Sequence, residues 1–263
     1  MPERCSGSPD GRAIHARCAD LLGEAGLARL RQACVAVVGL GGVGGHAAVA
    51  LARSGVGRLR LIDCDKVTWS SLNRSAWAVA ADVGRAKATS LREWIEALGA
   101  GTRIEAVEAF FHQDTADELL AGPPDFVLDA IDSLTPKVAL LRACVERGIP
   151  VAGSMGASAR TDPTQLRVGD IADTEVCPLA RAVRTRLRRV GIRGGIPVVY
   201  SVEPPLAPLP PDVADETVRR GRVRRRLPSL GMLPGIFGYA LAGLAVAHLV
   251  RGDALAPLVD RQS

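Results

Sequence analysis

A chain of 263 residues can bury a core without cross-links, and 48% hydrophobic with 23% charged residues excludes a disordered or fibrous protein. The six cysteines (Cys5, Cys18, Cys34, Cys64, Cys144 and Cys177) form no C-x-x-C pair, which argues against zinc. The net charge of +5 is uneven: residues 181–226 hold 12 Arg against 4 acids, while the other 217 residues hold 21 bases and 24 acids. Lys66, Lys87 and Lys137 are the only lysines beside 30 Arg. A surviving lysine therefore draws attention, because a compact ammonium is not interchangeable with a planar guanidinium. The opening stretch MPERCSGSPDGR has no apolar signal region, so a cytoplasmic protein is expected.

From Cys34 onward, strands and helices alternate. Cys34–Val38 reads as a strand, followed by a glycine-rich turn, a helix over about Val43–Arg53 and a strand over Arg58–Asp63, which together make a βαβ unit. Next come a helix over about Gly84–Leu98, a strand at Arg103–Val107, a short helix near Thr115–Leu120, a strand at Phe126–Ala130, a helix over about Thr135–Arg147 and a strand at Pro150–Gly153. The pattern predicts an α/β fold: a Rossmann-like, mainly parallel sheet with helices on both faces, ligands binding beyond the strand C-termini. After Ser154, strands are read at Gln165–Val168 and Val198–Val202, around a helix at about Leu179–Val190 whose Leu179, Val183, Leu187 and Val190 line one face. Residues 204–228 are Pro-rich and then Arg-rich, and read as a long mobile loop. Residues 230–250 are apolar enough to raise a membrane span, but Pro234, four glycines and His248 favour a buried core or dimer-interface helix. One domain is expected, with a nucleotide-binding core at 30–153 and a C-terminal strand/helix extension at 154–263 that serves the substrate and the dimer.

Gly39-Leu40-Gly41-Gly42-Val43-Gly44 is G-x-G-x-x-G between strand and helix, and Asp63 closes the next strand 19 residues after Gly44. Such glycines let a backbone approach phosphates at a helix N-terminus, and the carboxylate can accept ribose hydroxyls. Taken alone, this fingerprint suits a NAD-binding Rossmann oxidoreductase. The polar groups that follow (Asp63-Cys64-Asp65-Lys66, Ser71-Leu72-Asn73-Arg74, Gly84-Arg85-Ala86-Lys87 and Asp129-Ala130-Ile131-Asp132-Ser133) sit at or just past strand ends. So many charges serve a site that breaks a phosphoanhydride, where charge develops on pyrophosphate, better than an apolar hydride-transfer slot. Lys137, at helical distance from Asp132, reads as a local ion pair, Asp129 as structural, and Cys34 and Cys64 as small thiols buried in strand-like runs. Cys177 has no base nearby in sequence and reads as helix-start packing.

The series G-x-G-G-x-G, D-x-D-x-V, S-x-N-R, a Lys about thirteen residues on, and D-A-I-D-S resembles the E1-like adenylating superfamily (ThiF/MoeB/ubiquitin-activating type). Ser154-Met155-Gly156-Ala157, Thr161-Asp162-Pro163-Thr164, the run from Cys177-Pro178-Leu179-Ala180 to Val183-Arg184, and Val198-Val199-Tyr200-Ser201 are similar to its tRNA threonylcarbamoyladenosine dehydratase branch. The resemblance spans His15 to about Val250. It implies that Gly39, Gly41, Gly42 and Gly44 cradle ATP phosphates, and that Asp63, with Asp65 beside it, holds the ribose. It also implies that Asn73, Arg74 and Lys87 grip the triphosphate, that Asp132 binds Mg²⁺, and that Arg17 reaches across a homodimer. Ser75 stands where the family usually has Gln, and Ser158-Ala159-Arg160 replaces a more typical glycine- or asparagine-containing stretch.

The reaction implied is adenylation of the carboxylate of N6-threonylcarbamoyladenosine (t6A) at position 37 of tRNA, followed by intramolecular closure to the cyclic form. No protein cysteine is needed, since the nucleophile lies in the same molecule. A sulfur-transfer protein is a further partner the resemblance suggests. The alternative is adenylation of a ubiquitin-like sulfur-carrier C-terminus, whose enzymes typically carry paired zinc cysteines that this chain lacks. The basic segment, with Arg184, Arg188, Arg222, Arg224, Arg225 and Arg226, is expected to meet tRNA phosphates, because a coding bias toward Arg does not exclude acids.

Overall fold

A computed structural model describes residues 11–207, 209 and 227–257. In chain order its helices and strands are α1 (Gly11–Ile14), α2 (Ala16–Gln32), β1 (Cys34–Val38), α3 (Gly44–Ser54), β2 (Arg58–Ile62), α4 (Lys87–Glu96), β3 (Arg103–Val107), α5 (Ala116–Leu119), β4 (Phe126–Asp129), α6 (Leu134–Glu146), β5 (Val151–Ser154), β6 (Leu166–Asp170), α7 (Pro178–Arg189), β7 (Pro197–Ser201) and α8 (Met232–Arg251). The seven strands make one sheet in the order β3-β2-β1-β4-β5-β7-β6, parallel throughout except for β6, which runs antiparallel to β7 at one edge. This is the expected α/β architecture.

Composition explains the strand positions. In β4 (FVLD) every residue is buried and in β1 (CVAVV) all but Cys34 are, as a parallel strand covered on both faces requires. Edge strands β3 and β6 contain no fully buried residue. The strand order reverses between β1 and β4, whose ends Val38 and Asp129 pair side by side. That reversal opens a crevice above their C-termini, where ligands of such sheets bind.

Leu30, Leu51, Leu91, Ile95, Phe237 and Leu241 belong to the core on one face of the sheet, packed from α2, α3, α4 and α8. Leu119, Leu140, Leu141, Val183 and Leu187 belong to the other, from α5, α6 and α7. The apolar 230–250 stretch is the core helix α8. It is long and apolar enough to cross a bilayer, but 61% of its most apolar window is buried inside the protein, against α3, β4, β5 and β7. Its glycines have a steric purpose: a Cβ at Gly238 would stand 2.4 Å from Val43 O, and one at Gly231 the same distance from Asn73 O. The small-residue face thus lets α8 lie backbone to backbone on α3 and the loop before Arg74.

Two sequence expectations need correction. The helix α2 was not anticipated, because Gly23, at φ 72° and ψ 161°, breaks it, and Leu21 faces solvent while Leu27 and Leu30 are buried. No single apolar stripe runs along it. Cys64 is exposed, not buried in a strand, since β2 ends at Ile62, and Cys34 is half-buried. Cys177 is buried at the N-cap of α7, in the packing role its sequence suggested.

Candidate active site

The turn between β1 and α3 separates two jobs that the motif merges. Gly39 has φ 88°, and a Cβ there would lie 2.8 Å from Ala130 O. At Gly44 a Cβ would meet Gly39 O at 1.8 Å, and at Gly42 it would fall 2.9 Å from Pro234 Cβ and 3.0 Å from Arg74 Cγ. These three glycines are required by the protein's own packing. Gly41 differs: nothing lies within 4 Å of its Cβ position, so the space beside it is open to a ligand above the turn. Gly41→Ala should therefore melt within about 1 kcal/mol of the parent yet lose ATP affinity. Gly44→Ala should cost about 3 kcal/mol or more through overpacking. Thermal melts with and without ATP separate the two.

Asp63 is buried, and both its oxygens hold backbone: Leu40 N–H donates to Oδ2 at 2.6 Å and Asp65 N–H to Oδ1 at 2.7 Å. It clamps the glycine turn to the end of β2, and each oxygen keeps a lone pair for a ribose hydroxyl. Lys87, the first residue of α4, comes back over this turn, its Nζ donating to Asp65 Oδ2 at 2.9 Å and standing 3.9 Å from Asp63 Oδ2. Burial opposes its charge, but Asp63, Asp65 and Asp132 together outweigh burial and hold the pKa above the ordinary lysine value. For Asp63, burial prevails over Lys87 and the two N–H donors, pushing the carboxyl up.

Asp63, Cys64 and Asp65 lie close enough together to suggest a metal, but their chemistry favours the ammonium already present. Partial desolvation of the otherwise exposed side chain, with Asp65 and Asp63 beside it, pushes the Cys64 thiol up to about 11, so it is not a thiolate nucleophile at neutral pH.

Asn73 and Arg74 sit on the loop after β2. Arg74 Nη1 donates to Ser70 O at 2.6 Å and to Asn73 Oδ1 at 3.0 Å, while Asn73 Nδ2 donates to Ser229 O at 3.0 Å just before α8. This loop is thus fastened to α8 as well as packed over Gly42. Asp132 is exposed beyond β4, and Ser133 Oγ donates to it at 3.1 Å. Gly39, Gly41, Gly42, Gly44, Asp63, Asp65, Asn73, Arg74, Lys87 and Asp132 are therefore gathered over the C-terminal ends of β1, β2 and β4.

Arg17, expected to act across a homodimer, and Lys137 and Arg184 need separate placing. Arg17 is exposed near the start of α2, where neighbouring His15 Nε2 and Cys18 Sγ contact Ala52 O and Arg53 O at the C-terminal end of α3. The eleven residues of α3 place that end about 16 Å from the glycine turn, so the chain does not bring Arg17 to its own site. Lys137 pairs not with Asp132 but with Asp129, at 2.6 Å, and donates to Ser154 O at 2.9 Å, both side chains being fully buried. Burial pushes the Asp129 carboxyl up against the pull of Lys137. Arg184 ties α7 to Ile171 O and to the carbonyl and hydroxyl of Thr174, which leaves it less free for phosphate than Arg188, which is exposed. Arg222, Arg224, Arg225 and Arg226 lie outside the described residues.

Sequence reasoning gave Arg160 no role and read α8 as a core or dimer-interface helix without seeing that it packs on the site. Arg160 is buried beyond the end of β5, and its only sequence signal was an unexpected residue type. The Gly231, Pro234, Gly235 and Gly238 spacing could have flagged α8 as a close-packing partner of the site.

Comparison with known proteins agrees with this arrangement. The chain is 41% identical to tRNA threonylcarbamoyladenosine dehydratase 2 of Saccharomyces cerevisiae over 88% of its own length and 55% of the relative's. It is 33% identical to tRNA threonylcarbamoyladenosine dehydratase of Bacillus subtilis over 91% and 96%. The chain thus spans about half of the yeast protein and nearly all of the bacterial one. Its fold superposes with a TM-score of 0.78 and 32% identity on Escherichia coli tRNA N6-threonylcarbamoyladenosine dehydratase in complex with ATP, covering 92% of this chain and 93% of that one. Residues 15–257 match the ThiF family, so this chain, with its glycine turn, its Asp63 clamp and its Lys87 over the nucleotide crevice, belongs to the ThiF family.

Proposed function

We propose that the chain is an ATP-dependent tRNA threonylcarbamoyladenosine dehydratase, which adenylates the t6A carboxylate and lets the adenylate close intramolecularly. The observation that carries this reading is the open space beside Gly41 in a turn where Arg74 packs on Gly42 and Lys87 feels the charges of Asp63, Asp65 and Asp132, in a chain that aligns with nearly the whole length of a bacterial dehydratase. The glycine turn and the N-terminus of α3 receive the phosphates, and Asp63 and Asp65 take the ribose. Asn73, Arg74 and Lys87 hold the triphosphate and meet the charge that passes to pyrophosphate when the carboxylate oxygen attacks the α-phosphorus. Asp132, a single exposed carboxylate, suits Mg²⁺, which is commonly held by one or two carboxylates plus substrate phosphates and here would neutralise phosphate charge. Functionally, residues 30–153 serve the nucleotide and 154–263 the substrate.

Both chain stretches that flank the Arg-rich segment lead to the same place. Leu206 N–H donates to Ala159 O at 2.8 Å, and Ala159 N–H donates to Pro228 O at 2.7 Å. The two flanks of the segment therefore meet beside the loop after β5, which this reading assigns to the substrate side. Neutralising Arg222, Arg224, Arg225 and Arg226 together should weaken tRNA binding and flatten its salt dependence, lowering the slope of log affinity against log salt by about 3–4, while ATP binding is kept. Filter binding across a salt series reads both.

The protein acts as a cytoplasmic homodimer in this reading, with Arg17 delivered by a second copy. Support comes from α8, which presents Met232, Ile236 and Tyr239 to solvent at one-turn spacing, 56%, 37% and 54% exposed. Tyr239→Glu should shift light-scattering mass toward the monomer and reduce turnover together.

The deciding experiment is incubation with ATP, Mg²⁺ and t6A-containing tRNA, followed by nucleoside mass spectrometry. ATP-dependent loss of one water supports the assignment. Pyrophosphate release only with a ubiquitin-like carrier protein, or NAD binding without ATP turnover, overturns it.

A further inference from the structure

Beyond β5 the chain turns through Met155-Gly156-Ala157-Ser158-Ala159-Arg160, and Arg160 folds back into it. Its side chain is buried at 3% exposure. Nε donates to Glu203 O at 2.9 Å, and Nη1 donates to Gly156 O and, at 3.3 Å, to Ser158 O. Nη2 is buried and has no hydrogen-bond partner among the described residues. The Glu203 carboxylate does not neutralise this cation: it accepts from Thr161 N–H and Oγ1 and from Asp162 N–H. Ala159 is held at φ 62°, a left-handed conformation uncommon for a residue with a Cβ, to bring the guanidinium under the turn. Among the described residues this buried guanidinium grips only carbonyl oxygens, a costly arrangement that spends its charge on polarising the peptide groups of the turn.

The geometry of the turn shows where an anion would sit. In a trans peptide the carbonyl and the next N–H point in opposite directions. With Gly156 O turned toward Arg160, Ala157 N–H faces away from it, and a cation on the carbonyl strengthens that N–H as a donor. Met155 N–H is taken by Val199 O and Ala159 N–H by Pro228 O. The N–H groups of Gly156 and Ala157 between them meet no acceptor among the described residues. Asp129 pairs with Gly153 in the sheet, so β4 and β5 end side by side, and the turn after β5 starts beside the loop after β4 that carries Asp132.

We propose that the Gly156 and Ala157 N–H groups form an oxyanion-binding turn for the reacting carboxyl group, and that Arg160 is the positioning residue that aims and polarises them. The inference rests on the dehydratase reading above. In ring closure the urea nucleophile's lone pair forms a bond to the acyl carbon, and the carbonyl π pair moves onto oxygen, where the two N–H groups meet it. That pair then returns, the bond from the acyl carbon to the AMP oxygen breaks, AMP leaves with those electrons, and one urea proton passes to water.

The test is single-turnover reaction of t6A-containing tRNA and ATP, quenched in acid, with adenylated and cyclised nucleosides weighed over time. Arg160→Met should slow ring closure about 10–100-fold so that acyl adenylate accumulates, while ATP affinity stays within about threefold. Arg160→Lys, which keeps the charge and reaches fewer carbonyls, should fall between the two. Should the Met variant lack a cooperative melt, the Lys variant carries the decision by the same accumulation of adenylate. Closure at the parent rate in a folded variant, or slowed adenylation with no accumulated adenylate, overturns the proposal and leaves the dehydratase reading intact. A parent enzyme that removes no water from t6A overturns both.

Discussion

Lys87→Met is expected to lower ATP-dependent water loss from t6A by about 100–1,000-fold, the usual effect of removing one preorganised donor from a developing charge. Lys87 is placed by two links of the fold at once. Its backbone N–H donates to Asp65 O at 3.0 Å, and its ammonium pairs with the Asp65 carboxylate at 2.9 Å. A side chain tethered at both ends needs little reorganisation when charge shifts to pyrophosphate. The same substitution has a pH signature. Without the ammonium, Asp63, already pushed up by burial, rises further above its unfolded value. Well below the unfolded value of about 3.9 Asp63 is protonated in both folded and unfolded chains, and the variant's stability deficit is smallest. As pH rises through the raised folded value, the unfolded chain gives up its proton first and the deficit grows. Melting temperatures of parent and variant across pH 4 to 8 check the trend, and Lys87→Arg should restore the stability more fully than the rate.

Lys137→Met should destabilise the protein by about 3–5 kcal/mol, because it leaves the Asp129 carboxyl buried without its partner. The pair holds the floor of the site: Asp129 Oδ1 accepts from Ile131 N–H at 3.1 Å, and Ala130 packs on Gly39. Adding Asp129→Asn should recover much of the loss, since the amide carries no charge to bury and its oxygen can still accept from Ile131 N–H. Urea unfolding of the single and double variants measures the recovery. A double variant no more stable than Lys137→Met would show that the charge itself, rather than satisfied hydrogen bonds, holds the turn.

These two lysines mark the reach of sequence reasoning. Lys87 could be assigned from its distance to Arg74 and from the scarcity of lysine, and the fold put it among Asp63, Asp65 and Asp132. Lys137 looked like a partner of Asp132 because helical spacing is a local signal, whereas its contact with Asp129 depends on how α6 is rotated against β4 and β5. Arg184 carries the same lesson: its charge was legible, but its bonds to Ile171 and Thr174 were not. In α2 local signals conflicted, because Gly23 breaks the helix and tertiary packing alone decides which leucines are buried.

By itself, the sequence determined the alternation of strands and helices, the phosphate-binding turn and the ThiF-type constellation, because these depend on apolar runs, backbone freedom and residue order over short distances. It also determined that positive charge is concentrated late in the chain. Only the tertiary structure decided that Gly39, Gly42 and Gly44 answer to packing while Gly41 faces open space. It also brought the two ends of the Arg-rich segment together at Ala159 and placed Arg160 beneath the turn after β5. Each of those outcomes depends on atoms far apart in sequence meeting at van der Waals or hydrogen-bond distance, and no local pattern of residues encodes such a meeting.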